Sequence, residues 1–496
     1  MSKFPKIQFS GKLARIVYPG FRAHSREFYS YMNTDNHSAT HKLTVTPRDV
    51  SVILSALIVA GGYAVAKLTG VLDDFIVARV FGAGSELDAY YAAFGLPDTL
   101  FMLIAGGALA AAFIPVFTAH LAAGDRASAW QLASSVANTA FLVTLAAAWM
   151  VTLSAPWLVS HVIAPGFEPA QQQLTADLMR IILVSTAIFS ISGIVMSALQ
   201  ANQHFLLPAL SPVMYNLGII GGALFLTRPF SLDMPWGASL HLEPLVALDI
   251  YGLAAGVVIG AALHLLIQVP GLLRFGARWS PTLSLLDPSL RRVLSLLWPR
   301  ILGLGVVQIG MLATTNLASR LGAGSVTSLA FAWRLMQMPE TIIATAIGTA
   351  VFPTLSALAA CGQRAELRTT MRKALGVIGI LSLLAAASLI LLGKALAGIA
   401  FGQENADGVA WALQFYALGL VGHSALEVAA RSFYAQQDTR TPLLVAGLTT
   451  SIAIATSLAL MGPLSYGGLA LGNAVGFTLE AGLLIWLMER RLGRAL

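Results

Sequence analysis

Five charged side chains of this 496-residue sequence stand where apolar residues would be expected. Arg334 lies in LAFAWRLMQMPETIIATAIG (residues 329–348), a run that otherwise reads as a membrane span. Lys67 lies in AVAKLTG, Asp73 and Asp74 in VLDDFIV, and Asp88 in ELDAYY. A charge at the bilayer centre costs at least about 2.5–3.5 kcal/mol, so these groups imply a wet cleft with a charged occupant. An arginine fork matches phosphate bidentately. Lys67 and Asp74 are seven apart and share a helix face. The chemistry expected is a cationic and acidic lining, drawn from Arg334, Lys67, Asp74 and Asp88, for an anionic substrate and a coupling ion. For Asp73, Asp74 and Asp88 the alternative is the outer membrane interface, where charge is cheap. A straight helix begun at residue 51 carries Asp73 about 33 Å along, at roughly 1.5 Å per residue.

The elements that must hold these residues are membrane helices. The chain is 57% hydrophobic and 11% charged, with a mean hydropathy of +0.75. Soluble domains carry about 25% charged residues. Twelve spans are read near 51–81, 86–119, 129–160, 177–200, 206–228, 247–272, 294–319, 326–359, 374–392, 408–434, 442–462 and 467–489. Pro339 is expected to distort the helix after Arg334. Of the Lys and Arg residues, eight fall in the N-terminal arm and thirteen in the loops and tail on the same side, against four on the other. That asymmetry puts both termini in the cytoplasm. Residues 1–47 are polar and basic with no apolar signal core. They read as a tail, or as an arm lying on anionic lipid, and the first apolar helix as an uncleaved anchor.

The chain is also duplicated. GAGS occurs at 82–85 and 322–325. IPVFTAHLAAGDRA (114–127) matches FPTLSALAACGQRA (352–365), LQANQHFLLPAL (199–210) matches FYAQQDTRTPLL (433–444), and GLAAGVVIGAAL (252–263) matches GLALGNAVGFTL (468–479). The offsets are 240, 238, 234 and 216, in preserved order. An extra loop near 229–247 in the first half accounts for the last drop. Two six-helix halves entering the membrane in the same direction form a parallel repeat, a transporter signature, with the site at the interface between bundles. The boundaries expected are a basic N-terminal arm (1–50), a first six-helix bundle (51–273), a cytoplasmic linker (274–293), a second six-helix bundle (294–490) and a cytoplasmic tail (491–496). The alignment of halves sets Arg334 opposite residues 88–101. The ladders Gly252, Gly256, Gly260 and Gly468, Gly472, Gly476 are expected to pack helices within each half.

Other features read as structural. Glu427 with Arg431 and Asp177 with Arg180 are spaced as helical ion pairs. His161, His264 and His423 are isolated in sequence and read as satisfied or interfacial histidines. The single cysteine, Cys361, excludes an internal disulfide. No metalloprotease, nucleophile-elbow or paired-carboxylate motif occurs, so the chain is read as a transporter and not an enzyme.

The chain resembles the MurJ/MviN group of lipid II flippases, within the superfamily that also holds multidrug (MATE) and polysaccharide exporters. The resemblance rests on FIVARVFGAGSELDAYYAAFGLPDTL (75–100), GGALAAAFIPVF (106–117), ANQHFLLPALSPVMYNLGII (201–220), AWRLMQMPETIIATAIGTAVFPTLS (332–356) and FYAQQDTRTP (433–442). It implies an all-α, MATE-like membrane protein with a V-shaped central cavity in the bacterial cytoplasmic membrane, around which the twelve spans read above would form two parallel six-helix repeats. It further implies alternating access that moves a lipid-linked, polyprenyl-diphosphate cell-wall precursor to the outer face in peptidoglycan biosynthesis. Arg334 stands at a functionally important family arginine, and Asp74 and Asp88 match family acidic positions. Lys67 replaces a family arginine and Asp73 another, with reversed sign. Phe101 and Met102 fill places near family arginines, and Gly106 and Trp333 replace family acids. The family typically has fourteen spans, the last two lining a groove for the lipid tail; twelve are read here. These departures leave open a MATE-like exporter of small amphiphiles, or a non-transporting scaffold for wall synthesis. No cofactor is implied; a coupling ion, H+ or Na+, is compatible. The partners expected are the lipid substrate, membrane lipids and cell-wall synthesis proteins, with no nucleic acid, and one chain suffices because it holds both halves of a cavity.

Overall fold

Apolar runs separated by short turns fold as helices nearly throughout. The computed structural model describes residues 47–233, 239–284 and 286–493. The arm expected over 1–50 therefore lies outside the described residues up to 46, as do residues 494–496 of the tail. The chain divides into two units, Met1–Leu54 and Ser55–Leu496. Of the first, only helical backbone from Pro47 is described; the bundle architecture belongs to the second.

The first half begins with α1 (Pro47–Phe81). Next come α2 (Ser85–Ala93), α3 (Gly95–Leu100), a π-helical turn (Phe101–Ala105) and α4 (Gly107–Ala122). Then follow α5 (Arg126–Leu158), α6 (Pro169–Ala201), α7 (Leu206–Phe225), a hairpin of β1 (Phe230–Asp233) and β2 (Ser239–Leu242), α8 (Ile250–Leu266) and α9 (Val269–Arg274). The hairpin is antiparallel, with Phe230 opposite Leu242, and occupies the extra loop. The second half runs α10 (Pro288–Ala318), α11 (Ser325–Glu340), a π-helical turn (Thr341–Thr345), α12 (Ala346–Ala360), α13 (Arg364–Phe401), α14 (Ala406–Ala435), α15 (Arg440–Leu464) and α16 (Tyr466–Gly493). Each expected span falls on one of these helices or on a run of them. Among the described residues, ten such stretches are long and apolar enough to cross a membrane. The helices α1 and α10 fall on the other two. Large side chains such as Trp149, Leu153 and Leu391 stand exposed around the helices, as a lipid-facing surface requires.

Local chemistry sets the helix starts. Asp125 accepts the Ser128 N–H at 3.0 Å to cap α5. Asp287 accepts the Ser289 N–H at 2.7 Å to cap α10, whose first residue is Pro288. The segment between the halves, expected over 274–293, is non-helical only from 275 to 287. It lies along α5, where Asn138 Nδ2 donates to the Ser280 and Thr282 carbonyls at 2.8 and 3.1 Å.

The duplication is present in the backbone. The π-helical turns begin at Phe101 and Thr341, 240 apart; the second lies just beyond Pro339, where the helix is expected to distort. Outside glycine, the left-handed backbone positions are Gln203 with Gln437 and Asp249 with Ser465, spaced 234 and 216 apart like the repeats around them. In each half the fourth long helix is the hub: α6 packs on α2, α4, α5 and α8, and α14 on α11, α12, α13 and α16. The glycine ladders act as expected. A Cβ at Gly256 would meet the backbone of Gly222 on α7, and one at Gly468 the Leu460 carbonyl on α15.

The interior differs between the two ends of the bundle. At the end with the Gly-Ala-Gly-Ser turns, one continuous apolar core takes Leu87, Phe167 and Leu253 from the first half with Leu329, Phe331 and Phe401 from the second. At the opposite end, where Arg126, Arg274, Arg364 and Arg440 lie, there are two cores. One joins Phe113, Phe117 and Trp130 to Leu290 and Val293 of α10. The other holds Leu355, Met371, Phe433 and Met488 of the second half. Helix α10 packs on α4 of the first half and on α15 of its own.

Candidate functional site

Arg334, on α11 of the second half, reaches into the first. Its Nη1 pairs with the Asp74 carboxylate of α1 and donates to the Tyr91 hydroxyl at 3.3 Å. The guanidinium lies 5.0 Å from the centre of the Tyr91 ring, a cation–π contact. Its side chain is 38% exposed and that of Asp74 13%, so the arginine is partly accessible while its partner is largely enclosed. Nε and Nη2 of Arg334 have no hydrogen-bond partner among the described residues. Asp73 is beside it in sequence, and its Oδ1 is buried without a hydrogen-bond partner.

Lys67 is exposed on α1, about 10 Å before Asp74 at roughly 1.5 Å per residue, towards the basic end. It makes no ion pair among the described residues but acts electrostatically on Glu340 at the end of α11. Glu340 is 5% exposed. Thr341 and Thr345 hydroxyls donate to its carboxylate at 3.4 Å each. His423 Nδ1 lies 3.7 Å from Glu340 Oε1, with Trp333 and Phe477 against the imidazole. His423, isolated in sequence, therefore has an acidic neighbour in the fold. It is 83 residues from Glu340 in sequence, and only the packing of α14 on α11 brings the two together.

Asp88 is placed elsewhere and does a different job. It is fully buried, so it lines no opening. Oδ2 accepts the Gly324 N–H at 2.6 Å; Oδ1 accepts the Thr327 N–H and hydroxyl at 2.7 Å each. A first-half carboxylate thus caps the start of a second-half helix, α11, whose open N–H groups and dipole favour a negative charge. The expectation that Asp88 lies in the anion site with Lys67 and Arg334 is corrected: the turn before α11 needs a cap, and Gly324 brings its N–H to the carboxylate. Nearby, the Ala83 N–H donates to Asn405 Oδ1 at 2.8 Å, Asn316 Nδ2 to the Val162 carbonyl at 2.6 Å, and the Gly166 N–H to Ser319 Oγ at 3.1 Å. All of them tie one half to the other at this end.

The ion pairs read as structural are so placed. Arg431 bonds the Glu427 carboxylate and its carbonyl, and Arg180 holds Asp177 at 2.7 Å. Glu340 and its first-half counterpart Asp98 were missed by the sequence reading. The signal was present: LPDT at 96–99 and MPET at 338–341 lie within the duplicated region. Among the described residues, no group of three or more His, Cys, Asp or Glu side chains could hold a metal ion.

Two like-built bundles, sharing one core at one end and carrying a cationic–acidic cluster between them, define a two-bundle membrane transporter. Solved structures agree on the fold. An inward-closed structure of lipid II flippase MurJ superposes with a TM-score of 0.72 at 22% identity, over 87% of each chain. An inward-facing multidrug resistance MATE family transporter of the MOP superfamily gives 0.69 at 16% identity, over 86% of this chain and 95% of that one. Residues 77–495 match the family described as lipid II flippase MurJ, and the chain belongs to that family. The Burkholderia cenocepacia protein named lipid II flippase MurJ is 28% identical over 455 residues, which cover 90% of this chain and 85% of that one. The chain is accordingly a multi-pass protein of the bacterial inner membrane, and a transporter rather than an enzyme.

Proposed function

We propose that this protein is a lipid II flippase in which Arg334 and Lys67 receive the anionic head group from the basic end of the bundle. The observation that carries this is the Arg334 side chain. It is anchored across the two halves by Asp74 and Tyr91, it is partly accessible, and Nε and Nη2 remain available. A diphosphate is acceptor-only and suits that fork; charge-assisted bonds of this kind are roughly twice as strong as neutral ones.

The basic end faces the cytoplasm in this reading, with both termini there, as the distribution of Lys and Arg supports. The conformation is then closed towards the outside and divided towards the inside. The head group meets Lys67 first and Arg334 about two turns deeper, where it exchanges with Asp74 at the guanidinium. That exchange removes a first-half partner from a second-half side chain. Binding thereby weakens one tie between the bundles, as alternating access requires of a ligand that favours one state. Asp88 serves as a latch at the far end and not as a ligand. A coupling ion, H+ or Na+, is compatible and unassigned. The chain works as a monomer beside the cell-wall synthesis proteins that use its product.

The test is rescue of a bacterium depleted of its own lipid II flippase. The wild type restores growth, and Arg334→Ala, expressed at the same level in the membrane, does not. Failure of well-expressed wild type would remove lipid II from the reading. Equal rescue by Arg334→Ala would remove the arginine and favour a scaffold.

A further inference from the structure

A second chamber lies wholly within the first half. It is a cavity of about 340 Å³, within the range of small-molecule pockets, which begins near 300 Å³. Its walls come from Phe94 before α3, from α3, the first π-helical turn, α6, Phe205, α7 and α8. They include the aromatic side chains Phe94, Phe101, Phe189, Phe205 and Tyr215. Lys67, Asp74 and Arg334 do not line it.

One charge faces this space. The Asp98 side chain is open to the cavity, and no hydrogen bond or ion pair reaches its carboxylate among the described residues. Of the other ionisable groups in the lining, the Tyr215 phenol is neutral at physiological pH, and His264 is already engaged. Gln268 Nε2 donates to Ser192 Oγ at 2.9 Å, and Ser192 Oγ lies 2.7 Å from His264 Nδ1. With the Ser192 hydrogen directed at Nδ1 the ring is the neutral tautomer, an assignment made from the bonding network. The ring is also packed edge-on against Phe189 at 5.2 Å. The lining therefore carries one unpaired carboxyl group in a shell of aromatic faces.

That combination selects a ligand class. An anion is repelled by Asp98, and a neutral molecule leaves the carboxylate without a counter-charge. Calcium and magnesium need six or more oxygen ligands and zinc three or four His, Cys or carboxylate ligands; the lining offers one carboxylate and one histidine already engaged at Nδ1. A monovalent organic cation satisfies both features, because aromatic faces attract positive charge and the rings bury its apolar body. We propose that this chamber is a second ligand site, which binds a small hydrophobic organic cation with its charge against Asp98. Its chemistry is opposite in sign to the head-group site, so the two sites take different ligands.

The probe is ethidium, a planar monovalent cation, titrated into the purified full-length protein in nanodiscs of zwitterionic lipid and followed by fluorescence anisotropy. Wild type binds saturably. Asp98→Asn, which keeps the shape and removes the charge, weakens binding at least ten-fold, and Phe189→Leu weakens it several-fold. Arg334→Ala leaves ethidium affinity within two-fold of wild type, which separates this result from the flippase reading. The site is overturned if wild type shows no saturable binding. It is overturned equally if Asp98→Asn binds within two-fold of wild type, the result expected of partition into lipid or of an Asp98 that only holds a proton. Should Asp98→Asn fail to fold, Phe101→Leu combined with Phe189→Leu decides the matter, and unchanged binding in that variant sinks the proposal.

Discussion

The two ends of the bundle are built on different rules. At the end with the Gly-Ala-Gly-Ser turns, both halves contribute to one apolar core, and polar groups cross the boundary: Asp88 onto α11, Asn405 onto Ala83, Asn316 onto Val162. At the basic end there are two separate cores, one of which takes only the start of α10 from the second half and the other only second-half residues, and the ion pairs bind elements of a single half, as Arg368 and Arg372 bind Glu489. A rocking transporter needs this asymmetry. The joined end must be strong enough to hold one state and weak enough to break. Hydrogen bonds can exchange with water at that end, whereas a larger apolar seam could not. The difference teaches that the latch and the ligand site are made of different acidic residues, Asp88 and Asp74, only fourteen positions apart.

The comparison is broken most decisively by locking the joined end. With Cys361 replaced by serine, Ala83→Cys and Asn405→Cys should cross-link under mild oxidation and reduce rescue to the level of no protein, with recovery on reduction. Full rescue by the cross-linked protein would show that this end never opens. A smaller effect tests the latch. Asp88→Ala strips three donors of their acceptor and should destabilise the fold by on the order of 3 kcal/mol, at about 1 kcal/mol or more per buried group left unpaired. Asp88→Asn, which keeps one acceptor oxygen, should cost less. Thermal unfolding in detergent reads this, and an Asp88→Ala midpoint equal to wild type would remove the latch.

The smallest effect belongs to the basic end. Burial pushes the Asp438 carboxyl up, but the Thr441 N–H and hydroxyl and Arg491 outweigh it, so its pKa lies below the usual carboxylate value. A group lowered by folding stabilises above its unfolded pKa and loses that contribution as pH falls through the folded one. Asp438→Asn should therefore cost no more than about 1 kcal/mol at neutral pH, as a partly exposed pair allows. The difference from wild type should vanish in acid, below the ordinary carboxylate range. A difference that grew on acidification would reverse the assignment.

Much of this was legible in the residues. That Arg334 faces the first half was legible in the repeat alignment, which set it opposite residues 88–101; its partner Asp74 was read instead as sharing a helix face with Lys67. The ladders at Gly252–Gly260 and Gly468–Gly476 gave their packing partners because small residues at helical spacing have one use in lipid. Asp88 was misplaced because its type and its neighbourhood in sequence are those of a cavity acid; the Gly324 and Thr327 donors lie 236 and 239 positions away. His423 looked isolated for the same reason, since its partner Glu340 is on another helix.

By itself the sequence determined the solvent, the elements and the symmetry. Apolar runs of span length must be helices in a bilayer, because every backbone group has to be satisfied internally, and a repeated pattern must fold as repeated bundles. Only the tertiary structure decided which charges meet. Successive residues on a helix point about 100° apart. A single position of rotation, or the way one bundle seats against the other, therefore separates a carboxylate that holds Arg334 from one that caps a helix, and from one left facing an aromatic chamber.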